Sequence, residues 1–223
     1  MRFLFHDDAG SDTVVLKGEA YKYVVKVRRH REGETVALRR RDDEEMLHLY
    51  RIESIDGRRA ALHLASSKRL RVGAEKTLHI GWCVIDPRSV EKVLPQLNEL
   101  GVTTITFIDC DRSQRQFSPD FDRLNRILDA SMQQCGRSVR MRLARCDSIE
   151  VFIGDNPDTC VLDFTDEVLH EAEGIATVLI GCEGGFSEAE RQLAATLRRV
   201  RFATSSVLRS ETAAVAAAVK VLL

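Results

Sequence analysis

No stretch of this 223-residue chain is apolar for long enough to cross a bilayer. Charged residues make up 30% of it and break every apolar run short of the roughly 20 residues that a spanning helix needs. The opening Arg2-Phe3-Leu4-Phe5-His6-Asp7-Asp8 lacks the apolar core of a signal peptide. The six cysteines, at positions 83, 110, 135, 146, 160 and 182, include no Cys-x-x-Cys pair. Most lie in apolar strand-like or helical contexts, which predicts buried free thiols rather than disulfides or zinc ligands, and a cytoplasmic protein. With four prolines and no low-complexity tract, an extended proline-rich linker is excluded. One-sided charge is missing too, since the formal net charge is −1, so bulk charge does not mark a nucleic-acid binder.

The distribution of charge is less even. Residues 1–70 carry fifteen Lys and Arg against twelve Asp and Glu, a net of +3. Lys22, Lys26, Arg28, Arg29 and Arg31 follow one another with no acid between, and Arg137, Arg140, Arg142 and Arg145 form a second acid-free run. Such runs are often plain solvated surface; two of them in a near-neutral chain point to phosphate contact, with Lys26, Arg28 and Arg29 as candidates for an RNA backbone.

Hydropathy rhythm divides the chain. Residues 1–66 read as short strands with turns, with a hairpin at Asp56-Gly57 and one helix over Glu19–Arg29. The polar, aperiodic Ser66–Ala74 reads as a linker. From Thr77 strands alternate with helices, the signature of a parallel α/β sheet. Strands are expected at Leu78–Ile85, Val102–Ile108, Val139–Leu143, Thr159–Phe164 and Thr177–Ile180. Helices are expected at Pro87–Leu100, from Ser118-Pro119 to Cys135, at Glu188–Arg199 and at Glu211–Leu223. Chain order alone suggests an ordinary doubly wound sheet.

Two segments carry most of the chemistry. Leu179-Ile180-Gly181-Cys182-Glu183-Gly184-Gly185-Phe186-Ser187-Glu188 joins a strand to a helix, with Ser187 and Glu190 spaced as a capping box. Val207-Leu208-Arg209-Ser210-Glu211-Thr212-Ala213-Ala214 opens the last helix. Glycines at such a turn have a plain alternative, a tight connection that needs them for geometry alone. The first loop lacks both phosphate-cradle spacings, and Glu183 would repel a polyphosphate, so a neutral or cationic ligand fits better.

Taken together, Ile-Gly-x-Glu-Gly-Gly-Phe-Ser-x-x-Glu and the later Leu-Arg-x-Glu-Thr-Ala closely resemble the bacterial 16S rRNA uridine-N3 methyltransferases of the SPOUT superfamily. Arg2-Phe3-Leu4-Phe5, Val27 to Glu34 and Leu97 to Val102 are similar to further segments of that family. The chain differs from it at Cys182, where proline is usual, at Thr204-Ser205, where Leu-Gly is usual, at Lys22-Tyr23, where histidines are usual, and at Arg28, where leucine is usual. The resemblance implies an α/β protein in two domains: residues 1–70 as a PUA-like RNA-binding β-barrel, and residues 71–223 as a SPOUT methyltransferase domain with a trefoil knot. It also implies S-adenosyl-L-methionine as cofactor, 16S rRNA or the assembled small ribosomal subunit as partner, and a homodimer.

N3 of uracil is a poor nucleophile until its proton leaves, so such an enzyme must splay the base, align N3 with the methyl group and stabilise the anion. No metal is required. Ile180, Gly181, Cys182, Gly184 and Gly185 are candidates to hold the cofactor, with Val207 and Leu208 as the facing wall and Asp163 and Phe164 beside them. Arg209 is the candidate for stabilising the uracil anion at O2 or O4 or for holding a phosphate; its alternative is a structural ion pair with Glu183 or Glu211. Glu183 reads as an acceptor that orders the loop rather than a general base, and Arg2 as a contributor to the uridine pocket through the resemblance. Two other functions fit the same residues: a SPOUT methyltransferase with a different rRNA or tRNA target, and a catalytically silent rRNA-binding assembly factor.

Overall fold

Alternation of apolar and polar residues, as in Thr13-Val14-Val15-Leu16, buries one face of each strand in the N-terminal part of the chain. The computed structural model describes residues 2–114, 116–170 and 174–223 and divides into two units, residues 1–73 with 132–140, and residues 74–131 with 141–223. In the first unit, β1 (Leu4–Phe5), β2 (Thr13–Leu16), β3 (Thr35–Arg39), β4 (Met46–Asp56) and β5 (Arg59–Arg69) form one sheet in the order β1-β3-β4-β5-β2. All neighbours are antiparallel except β1 and β3. The hairpin signal at Asp56-Gly57 is realised, with Asp56 opposite Arg59 and Gly57 at φ +46°. Register shifts between Leu49 and Tyr50 and between Ile52 and Ser54 mark bulges in β4, which bend a strand.

The core of this unit includes Val14, Leu16, Val24, Leu38, Tyr50, Ile52 and Leu62. The buried Tyr50 hydroxyl is satisfied: it accepts from the Gly10 N–H at 2.8 Å and donates to the Ser11 carbonyl at 2.7 Å. Buried Arg39 lies over the Phe3 ring and donates to the carbonyls of Met46 and Leu70. Three sequence expectations are corrected in this unit. Residues 66–69 are not linker; they extend β5 and pair with Met46–Leu49, because main-chain pairing does not require an apolar side-chain pattern. The helix expected over Glu19–Arg29 is one α-turn, α1 (Gly18–Tyr21), followed by a π-helix over Lys22–Val27. The Arg28 N–H bonds five residues back to Tyr23, and Arg29 has a positive φ of 60°. The second acid-free run divides between the units. Arg137 is buried in the first, its Nε donating to the Val139 carbonyl, while Arg145 is paired with Asp109 at 2.7 Å in the second.

In the second unit six parallel strands, β6 (His79–Cys83), β7 (Thr104–Ile108), β8 (Arg142–Cys146), β9 (Cys160–Leu162), β10 (Thr177–Ile180) and β11 (Arg199–Val200), are ordered β11-β9-β10-β6-β7-β8. Helices α2 (Pro87–Leu100), α3 (Phe121–Cys135), α4 (Ile149–Asp155), α5 (Glu188–Leu193) and α6 (Ser210–Leu222) accompany them, the end of α3 from Met132 being counted with the first unit. Asp86 caps α2 through the Arg88 N–H and Gly101 ends it at φ +106°. One face of α6 buries Ala213, Ala214, Ala217, Ala218 and Val221 and packs against α2, while Leu223 and Val219 are exposed. Among the described residues no helix is long and apolar enough to cross a membrane.

Here too the sequence reading needs correction. The strand expected at Val139–Leu143 lies at Arg142–Cys146, because Ser138 and Val139 bond to the Val72 carbonyl instead. Helix α5 stops at Leu193, and Arg199–Val200 pairs with β9 as an edge strand. Helix α4, capped by Ser148, was not expected from its β-branched sequence. Cys83 and Cys110 form a disulfide, not free thiols. They are 27 residues apart, yet β6 and β7 lie side by side with Cys83 opposite Ile108, so the sheet register brings the two together.

Gly81 in β6 faces the Phe152 ring of α4 so closely that an added Cβ would collide with it. Gly81→Ala is expected to lower stability by about 1–3 kcal/mol, the usual range for overpacking, measured by urea unfolding. Phe152→Leu in the same chain should recover part of that loss; a fully additive double variant would show that the ring is not the obstacle.

Candidate functional site

Parallel strands end in a row of turns, and in an open α/β sheet the crevice beyond their carboxyl ends is where ligands bind. In the second unit a pocket of about 310 Å³ opens at the ends of β9 and β10. That volume lies at the small end of ordinary ligand sites. Its floor is Leu162, Ile180 and Ala213; the glycine loop supplies Gly181, Cys182, Glu183, Gly185 and Phe186; and the 201–210 segment supplies Phe202, Thr204, Val207, Leu208 and Arg209. Two segments separated in sequence by helix α5 and strand β11 therefore wall one cavity.

The hydroxyl of Ser210 joins these walls. It accepts from the buried Trp82 indole at 2.8 Å and donates to the Gly181 carbonyl at 2.6 Å. Trp82 lies in β6, Gly181 follows β10 and Ser210 starts α6, so one side chain ties three elements at the pocket. The glycine loop is held from its other end by the capping box: Glu190 Oε2 accepts from the Ser187 N–H at 2.7 Å, and Ser187 Oγ from the Glu190 N–H at 3.2 Å. Gly185 has φ +67°, a conformation that disfavours side chains, whereas a Cβ on Gly181 would press on Gly185 Cα and the Phe186 ring at 3.4 Å.

Most sequence candidates meet here. Asp163, Phe164, Ile180, Gly181, Cys182, Glu183, Gly185, Val207, Leu208 and Arg209 all line the pocket. Gly184 does not; its carbonyl accepts from Arg112 at 2.7 Å. Asp163 is almost completely buried and paired with Arg191 at 3.0 Å, a bond that raises the Arg191 pKa further. Burial pushes the Cys182 thiol up, so it sits in the wall as a neutral group. Phe164 and Val207 are exposed at 68% and 75%, which puts two large apolar surfaces at the pocket in contact with water.

Glu183 does not order the loop. It is exposed, with no hydrogen bond to any described residue, and the ordering carboxylate is Glu190. Arg209 is exposed and forms no ion pair with any described residue, so neither Glu183 nor Glu211 claims its guanidinium. Arg2 belongs to the first unit, where its N–H bonds to the Gln133 carbonyl and its side chain lies against Gly136. Lys26 and Arg28 are on the first unit's π-helix and its cap, over the rings of Tyr21 and Tyr23, with Arg29 next to them. Sequence reasoning missed Asp111 and Arg112, whose contacts span more than seventy residues and leave no local pattern.

The model of the RNA methyltransferase domain family matches residues 73–222. Ribosomal RNA small subunit methyltransferase E of Helicobacter pylori strain J99 is 36% identical over 219 residues, 96% of each chain. Among solved structures, ribosomal RNA small subunit methyltransferase E from Neisseria gonorrhoeae bound to S-adenosyl methionine superposes with a TM-score of 0.77 at 20% identity, covering 98% of this chain and 95% of that one. A Legionella pneumophila protein solved with bound SAM gives 0.78 at 22% identity over 98% and 96%. The two structures share the fold, and the Helicobacter relative shares more than a third of the sequence over nearly the whole length. The chain belongs to the RNA methyltransferase family that includes ribosomal RNA small subunit methyltransferase E.

Proposed function

We propose that this protein transfers the methyl group of S-adenosyl-L-methionine to N3 of a uridine in 16S rRNA of the small ribosomal subunit. The observation that carries the reading is the single pocket walled by both C-terminal motifs, in a chain of this family. The residues suit the cofactor: apolar Leu162, Ile180, Val207 and Leu208 fit a purine, and exposed Glu183 suits a cationic ligand. When bound, the cofactor supplies a methyl group activated by its sulfonium. The chain holds it by the glycine-loop backbone at Gly181, Cys182 and Gly185, with Asp163 and Phe164 beside it. Arg209, which forms no ion pair with any described residue, stabilises the uracil anion at O2 or O4 once N3 has lost its proton.

In the same reading, residues 1–70 act as a PUA-like RNA-binding barrel and residues 71–223 as a SPOUT domain with a trefoil knot, supported by the insertion of β10 between β9 and β6. Lys26, Arg28 and Arg29 contact RNA phosphates. The protein is a cytoplasmic homodimer. Light scattering tests the dimer; a monomer at micromolar concentration would remove it.

Gly185→Val, at a positive φ and on the pocket wall, is expected to abolish cofactor binding in calorimetry while the fold persists by circular dichroism. Undiminished binding would move the cofactor elsewhere. Arg209→Lys keeps the charge and loses the fork, so single-turnover methylation of small subunits should slow by about 100-fold, the scale of losing one transition-state donor, with cofactor affinity little changed. Wild-type rates would dismiss its role, and absence of 3-methyluridine with the unaltered protein would dismiss the reaction. Alanine at Lys26, Arg28 and Arg29 together should weaken RNA binding and flatten its salt dependence by up to about three ions' worth; an unchanged slope would return them to plain surface.

A further inference from the structure

The loop after β7 has a job that no motif announces. Its residue Cys110 is bonded to Cys83, which is fully buried at the end of β6. The next two residues grip the outer side of the glycine loop. The Asp111 N–H donates to Glu190 Oε1 at 2.8 Å, Ser187 Oγ donates to Asp111 Oδ2, and an Arg112 guanidinium N–H donates to the Gly184 carbonyl at 2.7 Å. Glu190 is buried and divides its two oxygens between this loop and the capping box, so both ends of the turn from Gly184 to Glu190 are tied to residues 111 and 112. Contact between Gly184 and Arg112 is close as well: a Cβ on Gly184 would lie 3.2 Å from Arg112 Cβ. Gly181, Cys182 and Glu183, which lead into this turn, and Gly185 and Phe186 within it face the pocket.

We propose that Asp111 and Arg112 are positioning residues for the glycine loop, and that the Cys83–Cys110 disulfide sets their hold, so that reducing it weakens cofactor binding. This rests on the reading of the pocket as a cofactor site. The disulfide anchors the residue directly before the grip, and the remaining ties of the loop are individual hydrogen bonds, each worth little net free energy. In a reducing compartment a disulfide exchanges with thiols. A dithiol attacks the bond, its two hydrogens and two electrons pass to the sulfurs of Cys83 and Cys110, and the dithiol closes to its own disulfide. Cys110, only partly buried where Cys83 is fully buried, offers the more accessible side of the bond. With the tether open, residues 110–112 gain conformational freedom and the glycine loop must be ordered again each time ligand binds, which lowers affinity.

The test compares the oxidised protein with protein treated with dithiothreitol. Titration after denaturation should count four free thiols before treatment and six after it. Calorimetry with S-adenosylmethionine should show affinity about tenfold weaker after reduction, the scale expected from one or two lost hydrogen bonds. Hydrogen exchange without ligand should rise at residues 110–114 and 182–190. Cys110→Ala should resemble the reduced form and ignore dithiothreitol. Arg112→Ala should raise KM for the cofactor more than it lowers kcat, with partial rescue by Arg112→Lys. Six free thiols in the untreated protein, or equal affinity and equal exchange in both states, would overturn the proposal. Faster exchange on reduction without cofactor binding in either state would keep the grip on the loop and overturn the cofactor reading instead.

Discussion

The Ser210 hydroxyl is the contact on which the site depends. A buried indole N–H and a strand-end carbonyl each need a partner, and Ser210 supplies both from the first residue of the last helix. Because Trp82, Gly181 and Ser210 lie on β6, beyond β10 and on α6, satisfying these groups brings the glycine loop and the Leu208-Arg209 segment into register across one pocket. An apolar side chain at Ser210 would leave two buried polar groups unpaired where the walls must meet. The adjacent β10–β6 pairing, Ile180 opposite Trp82, supplies the rigid base for this link.

Carboxylates organise the rest of the pocket according to burial. Glu190 and Asp163 are both removed from water and fully engaged, one by backbone N–H groups and the other by Arg191. Glu183, on the same loop, is exposed and unengaged by any described residue. Buried acids are thus structural and the open acid stays in water, as expected from the cost of an unpaired buried charge. The guanidinium of Arg209, unpaired among the described residues, stands in the same relation to the paired one of Arg191.

Much of this was legible in order along the chain. The Ser187–Glu190 spacing predicts the cap that is found, Thr177–Ile180 is a strand with those bounds, and Gly101 ends its helix. Ten of the residues picked for the pocket line it, because strand-turn-helix junctions in an α/β sheet are local objects with local sequence marks. Errors gathered where partners decide. Residues 66–69 look like linker but pair as strand, and Arg199–Val200 looks helical but adds to the sheet edge. Lys22–Val27 looks like ordinary helix and winds as π.

By itself the sequence determined the alternation of strands and helices, the two motif loops, and a basic stretch free of acids, since each depends on residues within one or two turns of each other. Tertiary structure alone decided that β10 lies between β9 and β6, that Cys83 meets Cys110, and that Gly184 faces Arg112 rather than the pocket. It also decided that Arg209 has no ionic partner among the described residues while Arg191 has one. The physical reason is common to all four. A hydrogen bond, a disulfide or an ion pair is set by the distance between groups in space, and in a parallel sheet with crossovers, groups that touch are separated by tens of residues along the chain.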